Sequence, residues 1–157
     1  MKMPVFYCDS WFRLKSTAIG PLSEDDARNR HVSGKPYVAL ISSDITPSCF
    51  VEFLLDRSMV GVGFLDDKCR EYLTYQFQCL NSEKLFLTMA THREFDVDGK
   101  VSVGTSYIFK EDGGLVIRRE KFNPYELEEA NSSFDPTSNY EDIPAFGEYT
   151  GIIKKNR

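Results

Sequence analysis

Tyr72-Leu-Thr-Tyr-Gln-Phe-Gln-Cys79, Leu85-Phe-Leu-Thr-Met-Ala90, Val101-Ser-Val-Gly-Thr-Ser-Tyr-Ile-Phe109 and Leu115-Val-Ile-Arg-Arg-Glu120 follow one another with short polar joints between them. In the first run Leu73, Tyr75, Phe77 and Cys79 share one face, and Thr74, Gln76 and Gln78 share the other. That period of two belongs to a half-buried strand. The second run continues through Thr91-His92-Arg93-Glu94-Phe95. The joints are Asn81-Ser82, Asp96-Val97-Asp98-Gly99 and Glu111-Asp112-Gly113-Gly114, and Asp-Gly supplies the positive φ of a tight hairpin. Four long, consecutive strands predict a mainly β fold: an antiparallel meander closing into a barrel or a strongly curved sheet, with a few short helices.

Upstream the pattern is less regular. Trp11–Ser16 reads as an opening strand. Ser23 followed by Glu24, Asp25 and Asp26 reads as the capped start of a short helix ending near Arg30. Tyr37–Ile41 and Met59–Leu65 read as strands. Phe50–Leu55 fits a strand or a turn of helix capped by Ser48. Downstream, Tyr125–Ala130 reads as a short helix with Pro124 in its first turn, and Glu148–Lys154 as a last strand. No repeat or linker interrupts the 157 residues, so one domain over 1–157 is the economical reading.

The net charge of −5 argues against direct nucleic-acid binding, which calls for a basic surface. The acids are unevenly spread: Glu120 to Tyr149 holds eight acids and one base, Lys121. The same stretch carries Tyr125, Phe134, Tyr140 and Phe146, which gives acids for steering and aromatics for anchoring. Glu126, Glu128, Glu129, Asp135, Tyr140, Glu141, Asp142 and Phe146 are therefore the candidate partner-binding residues. Solvated surface is the competing reading of such a run.

Catalytic chemistry finds little footing. His31 and His92 are the two histidines, with Glu94 as a same-face neighbour of His92. No nucleophile elbow, zinc-binding pair, phosphate loop or calcium loop is present. Asp66-Asp67 reads as a turn. The expectation is a binder rather than an enzyme, with no catalytic residue, cofactor or metal. Cys8, Cys49, Cys69 and Cys79 lack metal spacing. With no apolar leader and no run of ~20 apolar residues, the chain reads as cytoplasmic, with no membrane partner. Arg119, if it shared an inward face with Leu115 and Ile117, would need a buried acceptor.

The residues Leu73-Thr-Tyr75-Gln-Phe77, Leu85-Phe-Leu87, Arg93-Glu-Phe95, Tyr107-Ile-Phe109 with Asp112-Gly113, Asn139-Tyr-Glu141 and Phe146-Gly-Glu-Tyr149 together resemble bacterial immunity proteins of polymorphic toxin systems, including contact-dependent growth inhibition. The nearest likeness is to the β-barrel type paired with nuclease toxins of the EndoU class, and it covers about half the chain. The resemblance implies neutralisation of a cognate toxin domain, a basic nuclease, in the cytoplasm. A lipocalin-like small-ligand-binding barrel is the alternative.

Overall fold

The structure is a computed structural model that describes residues 3–155. In chain order it contains β1 (Val5–Phe12), β2 (Thr17–Leu22), α1 (Glu24–Ser33), β3 (Tyr37–Ile41), β4 (Cys49–Leu54), β5 (Met59–Leu65), β6 (Glu71–Cys79), β7 (Lys84–Phe95), β8 (Val101–Phe109), β9 (Gly114–Lys121), β10 (Glu126–Ser133) and β11 (Tyr140–Asp142). Among the described residues the eleven strands form a single antiparallel sheet in the order β10-β9-β8-β7-β6-β5-β4-β3-β1-β2, with β11 alongside β7. The expected meander thus runs through nearly the whole chain.

The sheet does not close into a barrel and is not strongly curled, contrary to the sequence expectation. Closure removes strand edges, but an open sheet can blunt its edges instead. Here β2 ends the sheet with Gly20-Pro21, and Pro21 has no N–H to offer a further strand. The other end, β10, places three glutamates among eight exposed residues.

Two further expectations fail. Tyr125–Ala130 is no helix: after Phe122 the chain reverses, with Asn123 at φ 69°, and pairs back along β9 in full register from Glu126↔Lys121 to Ser133↔Gly114. Cross-strand pairing outweighs a helical propensity too short to nucleate alone. Glu148–Lys154 forms turns rather than a strand, because Tyr149 and Ile152 are drawn into the core instead. The opening strand begins earlier than read, at Val5, and Arg13–Ser16 is its turn.

Packing concentrates on β3 to β6. One face presents Tyr37, Val51, Phe53, Val62, Phe64, Tyr75 and Phe77. Ala27 of α1 and Tyr149 and Ile152 of the C-terminal segment cover it. Helix α1 is set by the Ser23 hydroxyl, which accepts from the Asp26 N–H, and by Gly34 at φ 72° beyond its last turn. The opposite face holds Cys8, Val38, Leu40, Phe50 and Leu65 under Trp11, whose ring stacks on Phe50 at 5.5 Å. The β1–β2 turn folds across this face. Arg13 lies over the Phe50 ring and pairs with Glu52 and Glu71, and the Ser16 hydroxyl donates to the Cys69 carbonyl at 2.8 Å. Gly63 leaves room for Phe50; a Cβ there would come within 2.5 Å of two Phe50 ring carbons and 3.1 Å from the Glu71 carboxyl carbon. Burying each of these aromatics contributes roughly 1.5–3 kcal/mol, whereas the half-exposed Arg13 pairs add little beyond fixing the turn.

No residue from Thr91 to Ser138 is buried. Strands β8, β9 and β10 therefore extend from the covered body as a three-stranded wing without a buried side chain, joined to the core at Phe109.

Candidate partner-binding wing and the cleft at the opposite end

The wing is held by its ladders: β7 to β8 from Met89↔Ile108 to Phe95↔Val101, and β8 to β9 from Val103↔Lys121 to Phe109↔Leu115. Its turns match the residues read in sequence. The Asp96 carboxylate accepts from the Asp98 and Lys100 N–H groups beside Gly99 at φ 81°, and Asp112 accepts from the Gly114 N–H beside Gly113 at φ 92°. Residues paired across an antiparallel ladder point to the same side. One wing face thus carries His92, Thr105, Arg119 and Glu128 in a row, with Ala90, Tyr107, Ile117 and Ala130 in the next. The other carries Thr91, Ser106, Arg118 and Glu129, beside Met89, Ile108, Val116 and Asn131. Each face is a polar row beside a largely apolar row.

This register alters the electrostatic reading. Glu126, Glu128 and Glu129 face Lys121, Arg119 and Arg118, and Arg118 Nε lies 3.3 Å from Glu129. The β9–β10 ladder therefore mixes three bases with four acids, counting Glu120. It is a nearly self-compensated lattice with a slight acidic excess, not a uniformly acidic face. Arg119 is exposed on it and needs no buried acceptor.

The other candidate residues divide into two groups. After β10, Phe134 packs on Phe109 with ring centroids 5.0 Å apart, and its N–H donates to the Gly113 carbonyl. Asp135 caps a 3₁₀ turn, Pro136–Asn139; the Thr137 N–H and hydroxyl hold its carboxyl below the usual range. Buried Asn139 donates to the Leu87 carbonyl at 3.0 Å and pins this return to β7. Tyr140, Glu141 and Asp142 then pair with Phe86, Leu85 and Lys84. The Tyr140 hydroxyl donates to Glu111 at 2.9 Å, at the β8–β9 turn, so this segment adjoins the wing. Asp142 pairs with Lys84, and Glu141 lies 3.7 Å from Lys154. Phe146 belongs elsewhere: it stacks on Tyr7 at 5.0 Å, on the covered face of the body.

The sheet's far end carries a feature that the sequence reading missed. A cleft of about 1140 Å³ opens around the first residues of β1. Met3, Val5, Leu22, Ile41, Phe146 and Ile153 give it apolar walls, with Glu24, Arg28, Asp44 and Glu148 among its polar groups. At its side a buried chain of hydroxyls begins at His31. Its Nδ1 lies 2.7 Å from the Tyr37 hydroxyl; Tyr37 and Tyr149 are 3.4 Å apart, and Tyr149 and Tyr7 are again 3.4 Å apart. Burial pushes all three phenols well above their ordinary pKa and lowers that of His31. The group is therefore neutral at pH 7, an internal polar brace ending at the Tyr7 hydroxyl. The spacing of these four residues, scattered from Tyr7 to Tyr149, carries no local signal.

His92 is paired between Leu73 and Thr105 on an open wing face. Among the described residues no group of three or more His, Cys, Asp or Glu side chains is gathered as a metal site requires. No known protein family, curated protein or solved structure matches this chain. No helix among the described residues is long and apolar enough to cross a membrane.

Proposed function

We propose that this chain is an immunity-type inhibitor that binds a toxin domain, a basic nuclease, in the cytoplasm, and that the wing with the adjoining Tyr140–Asp142 strand is its contact surface. The observation that carries the reading is the wing itself. Three long strands, 25 residues in all, carry no buried side chain and meet the core through Phe109 at their base. A sheet extension of this kind adds little to the stability of the body, whereas it offers partly apolar rows framed by charge, the make-up of a protein-binding patch. The sequence resemblance supplies the partner class.

Size bears on how the partner sits. Eight residues at about 3.4 Å rise and three strands at about 4.8 Å spacing give roughly 400 Å² in projection, half of the ~800 Å² that a standard interface covers on each partner. The contact must therefore extend beyond one wing face, and Tyr140, next to Glu111, is the contiguous place. The mixed charge lattice favours a partner whose bases meet the outward glutamates and whose acids meet Arg118 or Arg119, a pattern that sets register more than affinity. A lipocalin-like carrier is less well supported, because the open sheet encloses no barrel interior.

The test is co-expression with the toxin domain encoded beside this gene. Growth protection and a co-purifying complex are expected. The triple variant Glu126→Lys, Glu128→Lys, Glu129→Lys is expected to fold and to lose both. Lack of protection by the native chain refutes the inhibitor reading; full protection by the triple variant refutes the wing as its surface.

A further inference from the structure

At the end of the sheet away from the wing, β1 outruns its neighbour. Strand β2 pairs with β1 from Phe12↔Thr17 to Tyr7↔Leu22, then turns away at Ser23 into α1. Strand β1 continues to Val5, still paired on its other side as Val5↔Ile41 and Phe6↔Leu40. The Ser42 N–H donates to the Pro4 carbonyl at 2.8 Å, so Pro4, Phe6 and Cys8 direct their backbone groups toward β3. By alternation, the Val5 N–H and C=O point the opposite way, into the lane that β2 vacates. The cleft opens over that lane.

The molecule fills an equivalent lane once already. Strand β8 pairs with β7 only from Met89 onward, and the three residues Tyr140–Asp142 complete the lane beside Phe86 to Lys84. Three residues of extended chain therefore suffice to occupy such a gap in this sheet. The lane beside β1 has no such occupant among the described residues.

Its surroundings select the occupant. Met3, 50% exposed, lines the cleft together with Val5, Leu22 and Ile153, so the alternate apolar side chains of an added strand that face the cleft find apolar surface. Glu24 lies 3.7 Å from Arg28, which sits over the Phe146 ring. Among the described residues Asp44 and Glu148 have no basic group within ion-pair distance, and the cleft is acidic in balance. We propose that the lane beside Met3–Phe6 is a docking slot for a short extended segment of a partner protein, apolar at alternate positions and carrying Lys or Arg between them, which adds to β1 as a strand. The slot is separate from the wing and does not depend on the partner being a toxin.

The test uses ¹⁵N-labelled full chain and three probes: acetyl-Val-Lys-Val-Lys-Val-Lys-amide, the same peptide with Glu for Lys, and the Lys peptide with alternate backbone nitrogens methylated. The Lys peptide is expected to shift the amides of Val5, Tyr7 and Ile41 and to bind at least tenfold more tightly than either other peptide. Asp44→Lys with Glu148→Lys is expected to weaken it at least fivefold while leaving the rest of the spectrum in place. Equal binding of the methylated peptide, shifts confined to the wing, or no shifts at millimolar peptide would each overturn the proposal. Dodecylamine serves as a fourth probe: if it produces the same shifts with the same affinity as the Lys peptide, the cleft is a pocket for cationic amphiphiles and the strand slot is refuted.

Discussion

The body and the wing are built from the same kind of strand, yet they differ in what lies against them. Strands β3 and β4 are buried on nearly every side chain, between α1 and the C-terminal segment on one face and the folded-over β1–β2 turn on the other. Strands β8 to β10 carry no buried side chain, and the cover they receive is Phe134 over Phe109. A strand pattern in sequence thus reports pairing; what a strand is for depends on whether a second layer arrives. In the body the layers arrive from sequence positions far away, and stability follows. In the wing only Phe134 arrives, over Phe109, and surface follows.

Substitutions can break this contrast. The largest effect is expected from truncating the body: Phe53→Ala should cost about 3–5 kcal/mol in urea unfolding, because Phe53 is fully buried and stacked on Tyr37 at 4.8 Å. In the wing Ile117→Ala should cost only about 1 kcal/mol, since that side chain is already partly exposed. Equal costs would mean that the wing has a hidden core role.

Next in size is a glycine pair. Gly63→Ala should destabilise by about 1–3 kcal/mol, as the added methyl meets Phe50. Gly104→Ala, where nothing lies within 4 Å, should stay within about 0.5 kcal/mol of the native chain. A neutral Gly63→Ala would show that the Phe50 ring is free to move and that the second layer is loose.

Thiol chemistry sharpens the picture of the body. Burial pushes Cys8 up to about 11 and Cys49 up to about 12, so both remain protonated and shielded at pH 7. Iodoacetamide under native conditions should leave both unmodified, whereas modification in 6 M guanidinium should be complete. Rapid native labelling of Cys8 would show that the β1–β2 turn lifts off its face.

The smallest effect expected is a pH dependence. Burial lowers the pKa of His31, so the unfolded chain binds more protons than the folded one as pH falls below about 6.5. The sign is therefore a loss of stability on acidification, beginning near pH 6.5 and levelling off below the folded pKa. His31→Gln should flatten the stability curve between pH 6.5 and 5. A native curve already flat there would show that the Tyr37 contact does not hold the imidazole neutral.

Much of this fold was legible because its information is local. The alternation of Leu73, Tyr75 and Phe77, the Asp-Gly turns and the Ser23 cap are each decided within a few residues. The errors have one common cause. Tyr125–Ala130 reads as helical in isolation because the template that makes it a strand, Gly114–Lys121, is not part of its own local sequence. Glu148–Lys154 reads as a strand from its apolar Tyr149, Ile152 and Ile153, yet Tyr149 and Ile152 serve as plugs for a face built by Phe53 and Phe64. Strand length suggests barrel closure but says nothing of whether the ends of the sheet meet. Of the candidate residues, Glu128 and Glu129 point to opposite faces of the wing, Asp135, Tyr140, Glu141 and Asp142 lie on the return beside it, and Phe146 lies against Tyr7. The charge count along the chain missed Arg118 and Arg119, which cross-strand register brings among the acids.

The central claim, that the wing is kept outside the core in order to meet a partner, is tested most directly by hydrogen exchange on this chain alone and in complex with the toxin domain encoded beside it. The account predicts that amides of residues 114–133 exchange faster than those of β4 to β6 in the free chain, and that the complex slows exchange chiefly between residues 101 and 142. Protection gained over α1 and the C-terminal segment, with residues 101–142 unchanged, would contradict it.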